Sequence, residues 1–183
     1  MHYIRKRITF LGLCVLILVT GMYYQASQTE PSSRSVPAAA EMSTEDQATT
    51  LELPGLDGDR YSLQSFLDKP LLLTFFTTWC SVCQEELPEL SDMYEANEGA
   101  WNAVAVNAST QEHNKDAVRK FVQESEIAMP VLVDIGGEGL DTFQVNAVPL
   151  SFLIDKDGRI RKKFYGPVSA EQLKKELAKI AGS

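Results

Sequence analysis

A chain of 183 residues with 44% hydrophobic content is long enough for one ordinary domain plus an accessory segment, and too short for several domains. Its formal net charge of -8 argues against nucleic acid as a partner, since a chain this acidic is repelled by phosphates. The basic residues Arg5, Lys6 and Arg7 all precede Glu30, the first acid, so the remainder of the chain is more acidic still.

Those three cations lead into the uncharged run Ile8 to Tyr24. At about 1.5 Å per helical residue this run reaches roughly 25 Å, close to the hydrocarbon core of a bilayer. The reading preferred here is a retained signal anchor over residues 1–24. A cleavable signal is the alternative, although Tyr24 is bulky where a small side chain is wanted. Leu11-Gly12-Leu13-Cys14 is a weak lipobox, in which Leu13 is too large and the apolar stretch continues past Cys14. A basic flank before the anchor predicts a cytoplasmic N-terminus, single-pass attachment to the cell membrane and an extracytoplasmic remainder. Residues 25–48 are rich in Ser, Thr, Gln, Ala and Pro without apolar periodicity, as expected of a flexible tether.

From residue 49 to 183 the pattern becomes that of an α/β domain. Leu51 to Pro54 and Arg60 to Leu63 flank an Asp57-Gly58 turn and predict a short hairpin. The apolar run Leu71 to Thr77 predicts a strand covered on both faces. A helix follows from Cys80 to about Asn97, with Leu87, Leu90, Met93 and Tyr94 on one face. Then come a strand over Trp101 to Asn107, a helix over Lys115 to Ser125, a short strand at Val131 to Asp134 and a short helix at Glu138 to Phe143. A strand from Leu150 to Asp155, a turn at Asp157-Gly158, a strand from Ile160 to Tyr165 and a helix capped by Ser169 complete the domain. Alternating strands and helices that end in a hairpin and a helix indicate three layers.

The chemistry sits at Trp79-Cys80-Ser81-Val82-Cys83, where the buried strand feeds the helix. Thiols at i and i+3 across a first helical turn can close a small disulfide, and the helix N-terminus favours thiolate on the first. This assigns to Cys80 the attack on a partner's disulfide, or the receipt of a partner's attack, and to Cys83 the resolution of the mixed disulfide. A zinc site would need four ligands, and beyond this pair the chain offers Cys14, His2, His113 and scattered carboxylates. No metal is expected, and the redox centre requires no cofactor beyond the Cys80/Cys83 disulfide. Glu86, one turn after Cys83, can share that thiol's face. A peroxidatic Pro-x-x-x-Thr-x-x-Cys motif fails at Leu73, and a cysteine hydrolase would have to use His113, placed on a polar helix start.

Residues 51–181 resemble a thioredoxin-fold domain, and within that group the membrane-anchored ResA/TlpA-like thiol-disulfide oxidoreductases. The matching landmarks are Leu56-Asp57-Gly58, Phe75 to Cys83, Glu86-Leu87-Pro88, Val148-Pro149 and Phe152 to Gly158. The resemblance implies a thioredoxin fold, three-layer α/β/α, with an N-terminal β-hairpin and a central βα insertion, preceded by one transmembrane helix. It makes Pro149 a cis-proline beside the dithiol, whereas local sequence alone would equally suit a trans strand opener. Trp79, Val148 and Pro149 become the substrate-binding residues, Pro88 a kink in the active-site helix, and Glu86 the proton acceptor for Cys83. The buried Asp of ordinary thioredoxins is replaced by Thr74. Implied partners are disulfides of exported proteins, apocytochrome c first, and a transmembrane electron donor of the CcdA/DsbD type. The Ser81-Val82 pair departs from relatives that carry Pro second. Val supplies an N–H that could stabilise the Cys80 thiolate, which leaves a disulfide-forming oxidase or isomerase as the alternative.

Overall fold

The computed structural model describes residues 20, 22, 50–97, 99–114 and 116–181. The expected anchor and tether lie outside the described residues, among which no helix is long and apolar enough to cross a membrane. The compact unit that begins at Met42 contains all the elements described below.

Strands β1 (Glu52–Pro54) and β2 (Arg60–Ser62) pair antiparallel as the expected hairpin. Gly58 turns it at φ 94°, a left-handed backbone that an L side chain rarely adopts. A five-stranded sheet follows, made of β3 (Leu71–Phe76), β4 (Asn102–Asn107), β5 (Val131–Val133), β6 (Leu150–Ile154) and β7 (Ile160–Tyr165). Their order is β5-β4-β3-β6-β7. The first three run parallel, and β6 is antiparallel to both β3 and β7. The strand of the predicted insertion therefore extends the sheet as its edge beside β4, where Leu132 also bridges to Gly55 of the hairpin.

Among the described residues four α-helices flank the sheet: α1 (Ser81–Glu95), α2 (Asp116–Glu124), α3 (Glu138–Phe143) and α4 (Ala170–Ala181). The layers are unequal. Alternation along β3 sends Leu72 and Phe76 to a core shared with Cys83, Leu87, Val118 and Leu173, so α1, α2 and α4 cover one face. Leu71, Leu73 and Phe75 face a second core with Leu53, Leu140 and Phe143, closed by the hairpin and the short α3. All six residues of β3 are buried, as a strand covered on both sides requires. Each fully buried Leu or Phe there contributes about 1.5–3 kcal/mol. Phe75, Phe143 and Phe152 pack with ring centroids 4.9–6.0 Å apart, which fixes the sheet from behind.

This register places the C-terminal ends of β3, β4, β5 and β7 and the start of β6 at one pole: Phe76 pairs with Asn107, Asn107 with Val133, Phe75 with Leu150, and Leu150 with Tyr165. In open α/β sheets that pole is where ligands are met.

Candidate active site

Cys80 sits at this pole as the N-cap of α1, with extended backbone at φ -79° and ψ 108°. Its sulfur does the work of a capping oxygen, accepting from the Cys83 N–H at 3.2 Å. The sequence pointed to the Val82 N–H as the extra donor; the amide found at Cys80 Sγ is that of Cys83. The two cysteines form a disulfide with their Cα atoms 5.2 Å apart. Cys80 is 9% exposed and Cys83 fully buried, so a partner reaches the first sulfur only.

The peptide bond Val148–Pro149 is cis. The Val148 carbonyl oxygen lies 3.9 Å from Cys80 Sγ, a contact that becomes a hydrogen bond when that sulfur carries a proton. Val148 is half-buried and Pro149 buried. Trp79 is 51% exposed and Val82 41%, which leaves an apolar rim beside the reactive sulfur. Pro88 lies inside α1.

Glu86 occupies the same buried face of α1 as Cys83, Leu87, Leu90 and Ser91. One carboxylate oxygen accepts from the Val168 N–H at 2.8 Å, while the other is buried without a hydrogen-bond partner. Burial pushes this carboxyl up to about 7 against the lowering pull of the Val168 N–H, with the Glu89 charge adding to the rise. On β3 no acid competes with it. Thr74 is buried and its hydroxyl oxygen accepts from Ser151 Oγ at 2.8 Å, a neutral pair that closes both groups.

Sequence reasoning missed the loop Ser109 to His113. Glu112 accepts from the Thr78 N–H at 2.6 Å, the Thr78 hydroxyl at 2.7 Å and Asn107 Nδ2 at 2.7 Å. The Trp79 indole N–H donates to the Gln111 carbonyl at 2.9 Å, and the His113 ring stands 5.9 Å from the Trp79 ring. His113, just ahead of Asn114 whose Oδ1 accepts from the Asp116 N–H at the start of α2, thus also belongs to the rim of the site. Among the described residues no group of three or more His, Cys, Asp and Glu is arranged to hold a metal ion. Leu73, which blocks the peroxidatic motif, is fully buried in mid-strand between Val104 and Phe152.

Thr77 Oγ1 is buried without a partner. An orphan hydroxyl loses its hydration for nothing, so Thr77→Val is expected to raise stability by about 1 kcal/mol. Urea unfolding of the oxidised protein measures this, and a loss of stability would show that the hydroxyl is satisfied.

A dithiol capping a helix, a cis-proline facing it and a sheet of this order together define a thioredoxin-like thiol-disulfide oxidoreductase. The chain belongs to the AhpC/TSA family, whose sequence model matches residues 44–163. It is 34% identical to the thiol-disulfide oxidoreductase ResA of Bacillus thuringiensis over 135 residues, covering 73% of this chain and 76% of that one. To the sporulation thiol-disulfide oxidoreductase A of Bacillus subtilis it is 30% identical, covering 88% and 93%. The crystal structure of StoA from Bacillus subtilis superimposes with a TM-score of 0.62 at 30% identity, over 69% of this chain and 94% of that one.

Proposed function

We propose that this enzyme is a membrane-tethered, extracytoplasmic reductase of disulfides in exported proteins. Cys80 exchanges with the substrate, Cys83 resolves the mixed disulfide, and Glu86 takes the Cys83 proton. The redox centre is the cysteine pair itself, with no bound cofactor. Trp79, Val148 and Pro149 receive the substrate segment. Residues 1–24 anchor the chain with its N-terminus in the cytoplasm, residues 25–48 tether it, and residues 49–183 form the catalytic domain. Apocytochrome c, whose Cys-x-x-Cys-His site must be reduced before haem attachment, is the first substrate class, and the name of the sporulation relative supports a second among spore-related proteins. Electrons come across the membrane from a donor of the CcdA/DsbD type.

The observation that carries the reductive direction is Glu86. An ionised carboxylate buried on the helix face of Cys83 disfavours thiolate there, and a dithiol whose thiolates are poorly stabilised holds its disulfide more firmly and donates electrons more readily. One observation favours the opposite direction: the Cys83 N–H and the helix N-terminus both stabilise negative charge on Cys80. Equilibration of the full chain with defined thiol-disulfide buffers decides between them. A midpoint potential near or below about -250 mV is expected, and one near about -120 mV would make the protein a disulfide-forming oxidant.

A further inference from the structure

Trp79 presents a contradiction. It is 51% exposed, yet its indole N–H donates to the Gln111 carbonyl and its ring stands beside that of His113. Burial does not hold this side chain; the loop after β4 does. That loop is in turn fastened by Glu112, whose carboxylate gathers the backbone N–H and hydroxyl of Thr78 together with the amide of Asn107. Asn107 is fully buried at the end of β4 and its Oδ1 accepts from Ser109 Oγ at 2.7 Å, so the loop is rooted in the sheet. From the other side, Gln84 Nε2 of α1 donates to the Thr78 carbonyl at 2.6 Å. Thr78, the residue before Trp79, thus has its N–H, hydroxyl and carbonyl all engaged, and it cannot shift without breaking its bonds to the Glu112 carboxylate.

We propose that Glu112 is a positioning residue for polypeptide substrates: by clamping Thr78 it pre-orients the Trp79 indole as a docking surface beside Cys80. The inference rests on the reading of the protein as a disulfide exchanger at Cys80. Its physical basis is preorganisation. An exposed aromatic that is already immobile loses little freedom when a peptide packs on it, whereas a free one must be ordered at binding. A small disulfide that does not reach Trp79 gains nothing from this.

The test uses the full chain, kept reduced by dithiothreitol with the uncatalysed rate subtracted, and two probes, insulin as a polypeptide disulfide and hydroxyethyl disulfide as a small one. Glu112→Ala is expected to raise KM for insulin by about 3- to 10-fold, to act on KM more than on kcat, and to lower the insulin rate relative to the small-disulfide rate by the same factor. Glu112→Gln should recover most of the loss, because its oxygen can accept both N–H groups and its amide can donate to the Thr78 hydroxyl. Acrylamide quenching should rise in Glu112→Ala, with Trp79 as the accessible fluorophore because Trp101 is only 6% exposed. Equal losses on both probes, a Gln variant as poor as Ala, or unchanged quenching would each overturn the proposal. If Glu112→Ala does not fold, Thr78→Val removes one of the three bonds, and a smaller effect with the same preference for insulin is expected; no preference overturns the idea. Failure of the wild type to exchange with either probe would instead sink the underlying reading.

Discussion

Cys83→Ser is expected to stop turnover, by at least on the order of 10³-fold, and to leave the protein covalently joined to its substrates. The Cys80 thiolate attacks a substrate disulfide, forming one mixed disulfide and releasing the other substrate sulfur as thiolate. In the wild type, Cys83 then attacks the Cys80 sulfur, releasing the second substrate thiol and leaving the enzyme oxidised. Among the described residues Cys83 is the only other cysteine, and it is fully buried with its own N–H already directed at Cys80 Sγ. A serine at 83 retains the N–H and loses the nucleophile. Cys80→Ser should form no adduct at all, and the two single variants and the double variant should share one residual rate, as expected for groups that act as a unit. The fold survives the change. Chain entropy for a disulfide between residues three apart amounts to about 2 kcal/mol, small beside the burial of β3 and its two cores. Mass spectrometry of non-reduced full-length protein after mild oxidation with insulin reads the adduct. A Cys83→Ser protein that turns over within about tenfold of wild type, or that traps nothing, would refute the assignment of the two sulfurs.

Most of the frame was legible because it is written in local apolar patterns. The run Leu71 to Phe76 can only be a strand buried on both sides, and Cys83, Glu86, Leu87 and Leu90 fall on one face by helical spacing alone. Asp57-Gly58 and Asp157-Gly158 announce their hairpins, and both glycines take a positive φ. The clamp on Thr78 left no such trace. Glu112 is 34 residues from Thr78, in a polar loop with no period, and its role exists only because β4 pairs in parallel with β3 and returns the chain to the same pole. The Val168 N–H that meets Glu86 is 82 residues away for a similar reason, brought there by the turn between β7 and α4. The same separation hid the second role of His113: its neighbours in sequence show the approaching helix start, but its partner Trp79 comes from the turn after β3. The unequal layering was hidden too, because apolar periodicity says that a helix has a buried face without saying which side of the sheet receives it.

Glu86→Gln should change both the stability and the chemistry of the protein, with opposite signs above neutral pH. The Glu86 carboxyl stands at about 7 in the folded chain against 4.5 for the free side chain, so the folded form holds a proton that the unfolded form gives up between these values. Its contribution to stability is complete below about pH 4.5 and is lost as the pH rises through about 7, a swing of about 3 kcal/mol. Glutamine does not titrate, and its oxygen can keep the Val168 N–H while its amide meets the unpartnered side at a cost of about 1 kcal/mol. The variant should therefore be slightly less stable than wild type at pH 5 and more stable by about 2 kcal/mol at pH 8. Urea unfolding at the two values would show the curves cross. Activity moves the other way. In the proposed mechanism the ionised carboxylate that destabilises the fold at pH 8 is also the base that takes the Cys83 proton, and general-base assistance of this kind is worth about 10²-fold or more. Resolution of a preformed mixed disulfide, followed by stopped flow, should be slowed by that factor in Glu86→Gln near neutral pH, with the gap closing at high pH once Cys83 ionises unaided. Equal resolution rates at every pH would leave Glu86 as a buried acid with no part in the proton transfer, even if the stability curves cross as expected.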